Sequence, residues 1–240
     1  MIIIGNSHTI SLNIEFLEHK TRYENINHVE YVKTYFDDLV KSSDEFKIEN
    51  IIQQELAKNG KQSLILIFGG EFYNILSTQL NEHIEFDFFL PTQKKIRDEN
   101  LNLIPYKLLY TFCMSRLKKL QDSIKKLKKL NLHEIYLCLP IYPSRRELLE
   151  ETANQKLLIE NDDIKSVNIL RDYIRIKLWN LNKIVLEDLC RICEINFLLP
   201  PENTCNKDML LYRKLSHDGV HGNRKFAKLL LTNLNKLQKH

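Results

Sequence analysis

Met1-Ile2-Ile3-Ile4-Gly5-Asn6-Ser7-His8-Thr9 begins with four apolar residues and breaks at once into a polar turn. The apolar run is a short strand candidate. Residues 10–19 then carry a helical pattern, with Ile10, Ile14 and Leu17 three and four apart. Strand, polar turn and helix open an α/β unit. Ser63-Leu64-Ile65-Leu66-Ile67-Phe68 is a nearly continuous apolar run that ends at Gly69-Gly70, as for a strand buried on both faces. Glu134–Leu139 reads the same way and is stopped by Pro140 and Pro143; Ile195–Leu199 is a last strand, stopped by Pro200-Pro201. Residues 28–33 read as a half-buried strand.

Helical patterns fill the intervals. They cover 45–58, ending at Asn59-Gly60, then Tyr106–Leu130, 144–157, 163–192 and about Gly222–Leu237. Pro91 and Pro105 bracket an irregular stretch. Strands separated by helix-length segments predict a parallel sheet with helices on both faces, in one domain spanning 1–240.

Composition narrows the class. Hydrophobic residues make up 43% and charged residues 28% of 240, an ordinary globular balance. The net charge of +4 is too small to argue for a nucleic-acid partner. No apolar run reaches the roughly 20 residues that a membrane span needs. Five Cys, an odd count, suit free thiols in a reducing compartment. Cys190 and Cys193 form a lone C-x-x-C on an apolar helical pattern and are expected to be buried helix thiols. There are only six Gly, where a usual share of roughly 7% would give about 17. Five of the six fall in three short clusters, at Gly5, at Gly69-Gly70 and at Gly219 and Gly222, and each cluster also holds reactive polar side chains.

In open parallel sheets ligands bind beyond the carboxyl ends of the strands. Ser7 stands two residues past Gly5, where a hydroxyl at a helix start meets unsatisfied backbone N–H groups able to stabilise an oxyanion. Such a Ser is also a common N-cap. Asp218-Gly219-Val220-His221 places a carboxylate three residues from an imidazole. In a tight turn the carboxylate can fix the imidazole tautomer, as in a serine triad. Asp218 as a cap and His221 in a first helical turn is the plainer alternative.

Taken together, these blocks resemble the SGNH (GDSL-type) hydrolase family. Gly5-Asn6-Ser7-His8-Thr9 is similar to the family's Gly-Asp-Ser block near the N-terminus, with Asn6 in the usual Asp place. Asp218-Gly219-Val220-His221 is similar to its Asp-x-x-His block near the C-terminus. The resemblance implies a flavodoxin-like, three-layer α/β/α sandwich with a central parallel sheet. It implies Ser7 as nucleophile, His221 as general base and Asp218 as the group that orients His221. The family's Gly-x-Asn block maps to Gly69-Gly70-Glu71, with Glu71 in the Asn place and Asn74 three residues later. Gly70, Glu71, Asn74 and His8 are the oxyanion or substrate-binding candidates. The implied activity is a serine esterase or acyltransferase acting on a small acyl group, acetyl on a carbohydrate, with no cofactor and no metal. Residues 29–59 hold no Gly for the family's second block. With Glu71, this motivates the alternative of a glycan- or partner-binding module that keeps the fold.

Three other features bear on function. A His8–His217 metal site lacks a third ligand of suitable spacing. Arg116–Leu130 carries one apolar stripe (Leu117, Leu120, Ile124, Leu127, Leu130) beside six Lys, as expected of a helix packed on the sheet with a solvated basic face. Arg145-Arg146 follow a strand exit and are candidates to hold an anionic group. A nucleophile at position seven leaves little removable leader, so the expected location is cytoplasmic.

Overall fold

The computed structural model describes residues 1–32, 42–68, 76–80, 85–91, 100–139, 141–152, 167–218 and 220–237. Among them the strands are β1 (Ile2–Gly5), β2 (His28–Tyr31), β3 (Leu64–Ile67), β4 (Thr78–Leu80), β5 (Phe86–Asp87), β6 (Asn102–Leu103), β7 (Ile135–Cys138), β8 (Val167–Ile169) and β9 (Asn196–Leu198). The helices are α1 (Ile10–Glu18), α2 (Ser42–Asn59), α3 (Tyr106–Arg116), α4 (Lys118–Leu127), α5 (146–152), α6 (Asp172–Cys193) and α7 (Arg224–Lys236).

Five strands form the central sheet, in the order β2-β1-β3-β7-β9, with every pairing parallel. The register sets Ile2 beside His28 and Leu64, and Gly5 beside Tyr31 and Ile67. The continuous apolar runs belong to the inner strands, where Ile2, Ile3, Ile4, Leu64, Ile65 and Ile67 are fully buried. From β1 the chain steps outward to β2, then returns past β1 to β3 and on to β7 and β9. The winding direction therefore reverses between β1 and β3. Right-handed crossovers place the helix of the first step on one face and those of the later steps on the other. Helix α1 packs with α7, while α3 and α4 pack with α6. The result is the expected α/β/α sandwich, and the reversal sets the usual ligand-binding place of such sheets at the carboxyl ends of β1 and β3.

Two elements differ from the sequence expectation, and a third shows a burial pattern that the sequence reading did not address. The helical reading of 163–192 holds only from Asp172; before it, Val167–Ile169 pairs antiparallel with Thr78–Leu80. The long helix from Tyr106 breaks at Leu117, whose N–H bonds the carbonyls of both Cys113 and Met114, and α4 ends at Leu127. In α1 the Ile10, Ile14 and Leu17 stripe is the exposed face, with Leu17 at 69% exposure. The buried side is Leu12, Glu15 and Phe16. Glu15 is tolerated there because Tyr23 donates to it at 3.0 Å and Arg22 pairs with it.

Other expectations hold. Leu117, Leu120, Ile124 and Leu127 are buried, and Leu130 is partly so, beside exposed Lys. Cys190 and Cys193 are free thiols buried in α6, and burial pushes the Cys190 thiol up to about 12.

Candidate active site

The chain leaves β1 at Gly5 and enters a short turn, Ser7–Thr9, that runs directly into α1. The turn is locked locally. The Thr9 hydroxyl lies 2.9 Å from the Gly5 carbonyl and 2.6 Å from that of Asn6. The buried Asn6 side chain accepts from the His8 N–H at 3.4 Å. Ser7 opens the turn, a position whose N–H has no partner within the turn itself.

The partner of Ser7 arrives from the other end of the chain. Ser216 and Gly222 form an antiparallel bridge, and the His217 N–H bonds the His221 carbonyl at 2.8 Å, so 216–222 is a closed loop. Within it, Asp218 Oδ1 accepts from the N–H groups of Val220 at 3.0 Å and His221 at 2.8 Å. Its second oxygen, Oδ2, lies 2.9 Å from His221 Nδ1. His221 Nε2 lies 3.0 Å from Ser7 Oγ. Burial alone would raise the Asp218 carboxyl. The hydrogen bond and charge of His221, joined by the two N–H groups, outweigh it and hold Asp218 well below the usual carboxylate range.

Two clamps hold this loop against the nucleophile turn. Asn223 caps α7, accepting from Lys225 and Phe226, and its amide donates to the carbonyls of Lys214 and Ser216. The Ser11 hydroxyl donates to the Gly222 carbonyl at 2.8 Å, joining the helix after Ser7 to the residue after His221. The sequence reading gave neither residue a role. An Asn just before the apolar period of α7 is an N-cap signal. Nothing in sequence marks Ser11.

His8 is buried against the base, its ring 5.0 Å from that of His221 and tilted by 48°. His217, the other histidine of the candidate metal pair, is exposed. Burial, then the neighbouring His221, push His8 from an ordinary 6.5 down to about 3, against the pull of Asp218. Below pH 6.5 the unfolded chain gains a proton that the folded chain refuses until about pH 3. Stability is therefore lost as pH falls through that window, at about 1.4 kcal/mol per pH unit at most for this group. Urea melts from pH 6.5 to 4.5 should show a stability slope one proton steeper in the wild type than in His8→Phe. Equal slopes would mean that His8 titrates normally. Gly70, Glu71 and Asn74 lie outside the described residues, so of the four oxyanion or substrate-binding candidates the structure places His8.

A solved structure from Streptococcus pneumonia, provisionally named a platelet activating factor, matches with TM-score 0.52 at 14% identity, covering 98% of this chain and 81% of that one. A GDSL-like lipase from Bacteroides thetaiotaomicron VPI-5482 gives TM-score 0.46 at 11% identity over 98% and 86% of the two chains. This chain shares the fold of the Streptococcus pneumonia structure, a parallel sheet between two layers of helices. No family model and no curated protein matches its sequence. In this fold Ser7 stands where β1 meets the winding reversal, and the loop that carries Asp218 brings His221 to it.

Proposed function

We propose that this chain is a serine hydrolase or acyltransferase that works through an acyl-Ser7 intermediate. The imidazole of His221, held between Ser7 Oγ and Asp218 Oδ2, carries the reading. His221 Nε2 takes the Ser7 proton as Oγ attacks the ester carbonyl. Asp218 keeps the remaining proton on Nδ1 and offsets the positive charge of the ring. The Ser7 N–H is one donor for the oxyanion. Collapse of the intermediate breaks the acyl–oxygen bond, and His221 returns its proton to the departing alcohol. A water or a second hydroxyl then repeats the steps in reverse, releasing the acid or the new ester. The family resemblance supports a small acyl group, acetyl on a carbohydrate hydroxyl, as the substrate.

A fluorophosphonate probe tests this. Covalent labelling of the wild type, lost in Ser7→Ala, is expected. A well-folded wild type that takes no label would favour the glycan- or partner-binding module instead.

Ser11 is a positioning residue in this scheme. Without its bond to Gly222 the His221 loop loses its tie to α1, and small misplacements of reacting groups are costly. Ser11→Ala should lower kcat on a short-chain ester about tenfold, roughly 1.4 kcal/mol of barrier. KM should stay unchanged and Ser11→Thr should restore the rate. A drop in melting temperature with kcat intact would assign Ser11 to stability alone.

A further inference from the structure

A cavity of about 550 Å³ lies between the start of α5, which follows β7 in the chain, and the segment 206–213. Leu148, Leu210 and Leu211 supply its apolar wall, and Arg145, Tyr212 and Arg213 its polar side. The wall is fixed by backbone bonds. The Leu211 N–H meets the Pro143 carbonyl at 2.9 Å, and the Tyr212 N–H meets that of Thr204 at 3.1 Å. Asn206, also at the cavity, accepts from the N–H groups of Asp208 and Leu210 at 2.9 Å and so sets the loop's curvature.

The cations around the cavity are not equivalent. Arg146, next in sequence, pairs with Glu150 at 2.7 Å. Arg213 pairs with Glu151 at 3.1 Å, but both side chains are more than half exposed. Such a pair is weak and can open to a ligand. Arg145 has no ion pair among the described residues. Glu147, also at the cavity, opposes a second negative charge. The lining therefore suits one negative charge carried on an apolar body. A cavity of this size is in the range that encloses a small organic molecule.

Chain order and strand order link its walls to the Ser7 end of the sheet. Strand β7 lies two strand spacings from β1 across the sheet, about 10 Å. The turn Arg213–Leu215 leads straight into the loop that carries Asp218 and His221. We infer that this cavity binds the anionic part of the molecule acted on at Ser7, with a carboxylate or phosphodiester on Arg145 and its apolar body against the leucines and Tyr212. The link to Ser7 rests on the serine mechanism proposed above; the anion site itself does not.

Calorimetry on the Ser7→Ala protein separates the two. The probes are 2-naphthoate, methyl 2-naphthyl phosphate and neutral 2-naphthamide. At least one anion should bind about tenfold tighter than the amide, and Arg145→Met should remove that preference. The tighter anion names the group. Equal binding of all three, or a preference that survives Arg145→Met with Arg213→Met, would overturn the site. In the active protein, 3-carboxyphenyl acetate should exceed phenyl acetate in kcat/KM, and Arg145→Met should equalise them. An anion preference in binding without one in turnover overturns the link to Ser7. Anion binding by a protein that no fluorophosphonate labels would leave the cavity standing and sink the serine mechanism.

Discussion

Ser7→Ala is expected to lower kcat on a short-chain acyl ester by about a thousandfold or more, with the melting temperature held. The attacking atom is gone, and among the described residues the hydroxyl's hydrogen-bond partner is His221 Nε2 at 3.0 Å, so little packing is lost with it. His221→Ala should cost as much, and the double variant no more, because nucleophile and base act as one unit. Asp218→Asn is the sharper probe. Its amide would offer an N–H to His221 Nδ1, leaving the ring's proton on Nε2. That nitrogen could then no longer accept from Ser7. The loss should approach about 10⁴-fold although the shape is nearly unchanged. Two backbone bonds, from Val220 and His221 to Oδ1, would hold the Asn in place and keep the loop closed. Undiminished turnover by purified Ser7→Ala would end the serine mechanism.

The chemistry was more legible in the sequence than its geometry. Ser7 and His221 stand out because each sits in a polar, Gly-bearing cluster of a Gly-poor chain, next to a strand end or a helix start. That they meet depends on the winding reversal between β1 and β3 and on the clamps from Ser11 and Asn223, which are tertiary facts. The inner strands were legible because burial on both faces demands an unbroken apolar run. Strand β8 was not. Its three residues precede the 22 of α6, whose longer period dominates any window. In α1 the period was right, and the apolar residues that carry it are the exposed ones. Spacing fixes the helix but cannot say which side meets α7, and here the buried side carries Glu15, whose partners Tyr23 and Arg22 lie beyond the helix. The cavity beside Arg145 had only a hint, since its walls come from 145–148 and 206–213, segments joined by the backbone bond between Leu211 and Pro143.

Gly5→Ala should damage both fold and site. A Cβ at Gly5 would stand 2.4 Å from Thr9 Cγ2, 2.6 Å from the Ile67 carbonyl oxygen and 2.9 Å from Ile67 Cβ. The Thr9 methyl cannot turn away freely, because its hydroxyl is held by the Gly5 and Asn6 carbonyls. The Ile67 oxygen is backbone of a central strand and also receives the Asn6 N–H at 3.4 Å. Relief must therefore come from moving β1 away from β3 or from opening the Ser7 turn. Overpacking of this kind costs about 1–3 kcal/mol. For a chain of this length each kcal/mol lowers Tm by about 2–4 °C. Ser7 is two residues downstream, so kcat should fall as well, through a lengthened Ser7–His221 contact. Gly60→Ala is the control. Gly60 has φ +70 and nothing within 4 Å of an added Cβ, so its cost is the left-handed backbone alone, about 1–2 kcal/mol. Comparable stability loss in both variants, with kcat lost only in Gly5→Ala, is the result expected of steric crowding at the nucleophile turn. A Gly5→Ala protein that melts and turns over like the wild type would show that β1 and β3 need no such close approach, and that Gly5 is there for another reason.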